Sequence, residues 1–108
     1  VIVDDTIVRG NVMKSLVDTL KECEVKEIHV RIPSPPVIDI CELGIAIHNK
    51  DELIMHKKSV EEVRKELEVD SLKYLYINEM GGKIPKDCYS QCFTGKIADE
   101  IKNWKPIY

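Results

Sequence analysis

The chain has 108 residues, 44% of them hydrophobic and 32% charged, with a formal net charge of −3. That length suffices for one domain with a modest core. The acidic balance argues against non-specific binding to nucleic acid or an anionic membrane, since both require a basic face. No apolar run approaches the ~20 residues of a bilayer span, and no secretory signal is visible. A cytoplasmic, reducing compartment is therefore expected. The first residue is Val1, not Met, and it falls inside a motif. The sequence thus reads as a fragment of a longer protein, or a heavily trimmed relative of one, whose missing part is expected upstream.

Val1-Ile2-Val3 is short, apolar and β-branched, and reads as a buried strand. The acidic pair Asp4-Asp5 follows, then a loop ending at Gly10. Between Asn11 and Cys23, apolar residues fall at Val12, Met13, Leu16, Val17, Leu20 and Cys23. This is helical spacing with one core-facing stripe, which includes Cys23. Asn11 is placed to cap the helix through its side chain. Glu27 to Ile32 alternates polar and apolar, as a half-buried strand does. Strand, helix and strand within about 30 residues form a βαβ unit, with parallel strands and a right-handed crossover.

Pro33, Pro35 and Pro36 then stop regular structure. Asp51 to Lys57 reads as a short helix. Ser59 and Glu62 form a capping box ahead of the apolar positions Val63 and Leu67. Glu61 and Lys65 add an i, i+4 ion pair. Leu72 to Ile77 suggests a strand, so strands are expected near residues 1–4, 27–32 and 73–77. Gly81-Gly82 opens a loop containing Cys88 and Cys92, and Ile97, Ile101 and Trp104 suggest a last short helix. The fold class is α/β, a parallel sheet flanked by helices. Residues 1–80 form the main region and residues 81–108 a C-terminal loop and helix with a cysteine pair.

The segment after the first strand carries the chemistry. In an open parallel sheet, ligands sit beyond the carboxyl ends of the strands. A loop entering a helix N-terminus offers backbone N–H groups and a positive dipole end, which favour phosphate. Gly10 allows close backbone approach. Asp4 and Asp5 suit hydroxyl groups or a hard cation such as Mg²⁺. A ribose 5-phosphate presents these two needs side by side. A helix-entry turn would also account for the acidic pair, and a solvated loop residue for Arg9.

Val1-Ile2-Val3-Asp4-Asp5-Thr6-Ile7-Val8-Arg9-Gly10 resembles the phosphoribosyl pyrophosphate (PRPP) motif of type I phosphoribosyltransferases, and in particular of the amidophosphoribosyltransferase family. Four further stretches agree in order: Lys26 to Ile32, Ser34-Pro35-Pro36, Asp51 to Ile54, and Cys92-Phe93-Thr94-Gly95. The resemblance spans nearly the whole chain and the C-terminal part of such an enzyme. It implies a partial type I phosphoribosyltransferase fold. It also implies that Asp4 and Asp5 bind the ribose hydroxyls and help hold Mg²⁺, while Thr6, Ile7, Val8, Arg9, Gly10 and Asn11 wrap the 5-phosphate. The family takes ammonia from glutamine in an N-terminal glutaminase domain, which this sequence lacks. It then displaces pyrophosphate from PRPP to form phosphoribosylamine, the first step of purine synthesis.

Some members of the family carry a [4Fe–4S] cluster on four cysteines. The resemblance matches Cys41 and Cys92 to two of the ligands. Tyr89 stands where the family has a third, and Cys88 lies one residue earlier, giving C-x₃-C in place of C-x-x-C. Cys41, Cys88 and Cys92 are thus a candidate cluster set, with buried or idle thiols as the alternative. Asn11 and Val12 depart from two threonines common in the family, and Ala46, after Gly44-Ile45, replaces a residue that is often polar. Two other readings stay open: a phosphate-binding or regulatory module without chemistry, and a structural domain organised on cysteine-bound metal.

Val1 lies on a strand that should be interior, so its exposed backbone groups invite pairing with another chain. The isolated chain is expected to self-associate, as a homo-oligomer, or to be only marginally stable. Sedimentation and thermal melting check this, and a monodisperse monomer with a sharp transition would count against it.

Overall fold

The computed structural model describes residues 1–41, 43, 46–81 and 88–97. Among them three strands, β1 (Ile2–Val3), β2 (His29–Ile32) and β3 (Ser71–Tyr74), form one parallel sheet in the order β1-β2-β3. Helix α1 (Asn11–Glu22) connects β1 to β2, and α2 (Val60–Leu67) connects β2 to β3. Two crossovers of the same hand, stepping the same way across a sheet, leave their helices on one face. Accordingly α1 packs on α2. A short helix, α3 (Gln91–Thr94), follows later in the chain.

Strand register sorts the side chains. Val30 pairs with Ile2 and Leu72, and Ile32 pairs with Tyr74, so these residues share the helix-covered face. There they meet Met13 and Val17 of α1 and Val63 and Leu67 of α2, all buried. The other face carries Val3, His29, Arg31, Ser71 and Lys73, which are half-buried or exposed. Ser71 ties its neighbours together on that side: its Oγ lies 2.8 Å from His29 Nδ1 and accepts from Arg31 Nη1 at 2.9 Å.

The α/β class and the βαβ unit hold as expected, but several details differ. The α1 stripe is narrower than its periodicity suggests. Met13 and Val17 are buried and Leu20 partly so, while Val12 is 80% exposed. Cys23 is the exposed C-cap of α1, not a core residue. Val1 and Val3 are exposed, because β1 pairs only with β2 among the described strands. The third strand begins at Ser71 and ends at Tyr74, short of Ile77. Its last rung is the Leu75 N–H donating to the Ile32 carbonyl. Beyond that bond the apolar run Leu75-Tyr76 lies outside the strand.

The expected helix at 51–57 is a single 3₁₀ turn, Lys50–Glu52, followed by extended backbone at Leu53. Leu53, Ile54 and Met55 are all buried, and they face two different clusters. An amphipathic helix cannot bury three consecutive residues on opposite sides. The Ser59–Glu62 capping box forms as expected. Glu61, however, pairs with Arg64 through two guanidinium bonds of 2.8 and 2.7 Å in place of Lys65. The planar fork of Arg fits a carboxylate better than an ammonium does. The helix expected around Ile101 and Trp104 lies outside the described residues.

A second, smaller cluster joins Val37, Ile47, Leu53 and Cys92, with Val8, Ile40 and Phe93 against it. Its polar staple is the buried Asp39, whose Oδ1 meets Lys50 Nζ at 2.8 Å. The Ile38 and Asp39 N–H groups both donate to the Cys92 carbonyl, fastening α3 to this segment.

Leu67 is 1% exposed in the main cluster. Leu67→Ala should destabilise the chain by about 2–5 kcal/mol. Val12→Ala, on the exposed side of α1, should change stability by about 0.5 kcal/mol or less. Urea midpoints of the two variants check both values.

Candidate functional site

The chain leaves β1 at Asp4, runs through a loop, and enters α1 at Asn11. The loop therefore sits where a parallel sheet offers its ligand crevice. Asp4 to Met13 line a hollow of about 390 Å³, a size suited to a small ligand. Asp4 Oδ1 accepts from the Asp5 N–H, and Asp5 Oδ1 accepts from the Thr6 N–H, both at 2.9 Å. These turns aim two consecutive carboxylates at the rim. Thr6 lines the same hollow, and its Oγ1 is buried without a partner among the described residues. A buried hydroxyl left unpaired costs about 1–3 kcal/mol.

Gly10, not Asn11, is the N-cap of α1, and no side chain caps the helix. The first intrahelical bond runs from the Lys14 N–H to the Gly10 carbonyl. The N–H groups of Asn11, Val12 and Met13 precede that bond, and the first turn holds no acidic residue. A capping side chain would occupy the donors that this helix start presents to the hollow. Val12 is exposed at the same end, so its lack of a hydroxyl leaves its backbone donor in place.

What holds the loop in shape lies far along the chain and is not evident from local sequence. The Ile54 N–H donates to the Val8 carbonyl at 2.9 Å. Ser34 Oγ donates to the Asp5 carbonyl at 3.0 Å. Gly10 has φ +83°, and a Cβ there would stand 2.4 Å from Ile54 Cδ1. Both the backbone conformation and the close approach require glycine. Arg9 turns its guanidinium outward: Nε and Nη2 reach Glu52 Oε2 at 2.8 and 2.6 Å, and Nη2 donates to the Ala46 carbonyl at 2.9 Å. The run Leu53-Ile54-Met55, three apolar residues without helical spacing, was the available signal that this segment is a buried strap.

The hydrogen bond from Arg9 holds the Glu52 carboxyl below the usual carboxylate range, and the Arg9 charge adds to the effect. A lowered folded-state pKa means this contribution is fully present above the ordinary value of 4.5. It is lost as pH falls through the lower folded value.

No family profile matches the chain. It is 38% identical to the chloroplastic amidophosphoribosyltransferase of Vigna aconitifolia over 98% of its length and 22% of that protein's. To the amidophosphoribosyltransferase of Bacillus subtilis it is 40% identical over 94% of its length and 23% of that protein's. Its fold superposes on the glutamine PRPP amidotransferase of B. subtilis, solved with ADP and GMP, with a TM-score of 0.72. That match has 38% identity and covers 87% of this chain and 22% of the solved one. The chain belongs to the amidophosphoribosyltransferase family. It spans about a fifth of the length of the relatives it matches.

The cysteines of this family segment divide by environment. Cys92 is buried, Cys41 is half-buried, and Cys88 is exposed. Burial pushes the Cys92 thiol up, and the neighbouring Cys41 pushes it further. Cys92 is thus the least accessible of the three, while Cys88 stands at the surface. Among the described residues no three His, Cys, Asp or Glu side chains gather as a metal group. Among the described residues, too, no helix is long and apolar enough to cross a membrane.

Gly10→Ala should destabilise the chain, with about 1–2 kcal/mol from the left-handed backbone alone and more from the Ile54 contact. Ile54→Val removes Cδ1 and should relieve part of that loss. Urea midpoints of the two single variants and the double variant check this, the double being less destabilised than the two singles added.

Proposed function

We propose that this chain is the PRPP-binding portion of an amidophosphoribosyltransferase. Residues 1–80 carry the binding loop, and residues 81–108 form a C-terminal segment. The whole enzyme would form phosphoribosylamine from PRPP and glutamine-derived ammonia, as the first step of purine synthesis. Its partners would be an N-terminal glutaminase domain and further copies of the same chain, in the cytoplasm. The observation that carries this reading is the hollow at the end of β1. It is lined on one side by two carboxylates and on the other by an uncapped helix start.

In this reading the N–H groups from Thr6 to Asn11 receive the 5-phosphate, with the positive end of α1 behind them. Thr6 Oγ1 finds its missing partner there. Asp4 and Asp5 accept from the ribose hydroxyls and fix the ring relative to the phosphate. Fixing both ends of the sugar holds C1 still for attack by an amine, which is where positioning lowers a barrier. Two carboxylates beside a phosphorylated ligand also suit Mg²⁺, which binds through one or two carboxylates and completes its shell with substrate oxygens and water. Once bound, Mg²⁺ would stabilise the charge on the departing pyrophosphate. The cysteines carry no step in this mechanism.

Calorimetric titration of PRPP with Mg²⁺ into the chain tests the proposal, with Asp5→Asn alongside. Saturable binding is expected for the wild type. Loss of a hydrogen-bonded charge, worth about 1.5–3 kcal/mol, should weaken the variant roughly tenfold to a hundredfold. An absence of binding to the wild type at millimolar PRPP would refute the reading for this chain.

A further inference from the structure

We propose that Arg9 and Glu52 form a clamp that positions the phosphate loop, so that the Arg9 side chain acts by holding the backbone in shape and not by touching the phosphate. This inference rests on the function proposed above and assigns roles to two residues at that site. An arginine inside an anion-binding loop would by charge alone be a ligand. Here its guanidinium is engaged elsewhere, by Glu52 Oε2 twice and by the Ala46 carbonyl once. Glu52 is itself fixed. Its Oε1 accepts from the Asn49 N–H at 3.2 Å, closing the capping box of the Lys50–Glu52 turn, and Asn49 Oδ1 accepts from the Asp51 N–H at 3.0 Å. Two residues further on, the Ile54 N–H holds the Val8 carbonyl. Loop residues 8, 9 and 10 are thus gripped in succession: Val8 by its carbonyl, Arg9 by its side chain, and Gly10 by contact with Ile54.

The charges make the roles separable. A carboxylate near an anion site opposes anion binding through Coulomb repulsion. If Arg9 were a phosphate ligand held back by Glu52, removing the Glu52 charge would free it and tighten binding. If the pair is a clamp, removing either partner releases the same loop, and binding weakens in both cases. The two losses would then overlap, because residues acting as one unit are not additive. Arg9→Lys keeps the positive charge but lacks the planar fork that reaches an acceptor carboxylate from two nitrogens.

The experiment titrates ribose 5-phosphate into the wild-type chain, Arg9→Ala, Arg9→Lys, Glu52→Gln and the double variant Arg9→Ala/Glu52→Gln. Alongside it, amide hydrogen exchange of residues 8–12 is followed in the unliganded proteins. The clamp predicts affinity about three- to tenfold weaker in each single variant, Lys included, and a double variant no weaker than the weaker single. It also predicts faster loop exchange in Glu52→Gln. Equal or tighter binding by Glu52→Gln would overturn it and make Arg9 a direct ligand. Full rescue by Arg9→Lys would overturn it in favour of simple charge attraction. If the wild type fails to bind, the functional reading fails. The exchange data still judge the clamp, since unchanged exchange in Glu52→Gln would refute it.

Discussion

The contact between Ile54 and Gly10 is the constraint on which the site depends. The loop from Asp4 to Gly10 has little regular structure of its own, and a loop without partners would not hold a fixed set of donors. Ile54 meets it twice, by a backbone bond to Val8 and by a side chain that fills the space a Cβ at Gly10 would need. Gly10 can take its left-handed conformation there because it has no side chain. That conformation in turn starts α1 without a capping side chain. The donors left over at the helix start are the result.

The same strap joins the two clusters. Leu53 belongs to the small cluster with Cys92, and Ile54 and Met55 belong to the main one beneath the sheet. Loop, strap and α3 are therefore parts of one packing arrangement, with Asp39 and Lys50 as its polar staple. Only the Asp39 side of this pair is buried, so removing Lys50 would leave a buried carboxylate uncompensated. The sheet shows a similar division of labour. Its helix-covered face is lined by Val30, Ile32, Leu72 and the ring of Tyr74, while its other face is organised by Ser71 between His29 and Arg31.

Much of the fold was legible because it follows from short-range pattern. The alternation in Glu27–Ile32, the periodicity of α1 and the Ser59–Glu62 capping box each depend on residues a few positions apart. Strand ends were less legible. Whether β3 continues past Tyr74 depends on its pairing with β2, which no local pattern in Leu75-Tyr76-Ile77 reveals. The segment 51–57 resisted reading for a related reason. Its three apolar residues serve two separate clusters, so they obey neither helical nor strand spacing.

The sequence by itself determined that a strand ending in Asp4-Asp5 leads through a glycine-terminated loop into a helix. That order alone implies a crevice at the carboxyl end of a parallel sheet, along with the family resemblance. Tertiary structure decided which groups at the loop face outward and which are engaged. Arg9 is turned to Glu52, Thr6 Oγ1 is buried without a partner among the described residues, Cys23 and Cys88 are exposed, and Cys92 is buried. The physical reason is distance along the chain. Residues 43 positions apart meet only once the sheet has brought their segments together, and which partner a side chain takes is settled by that meeting.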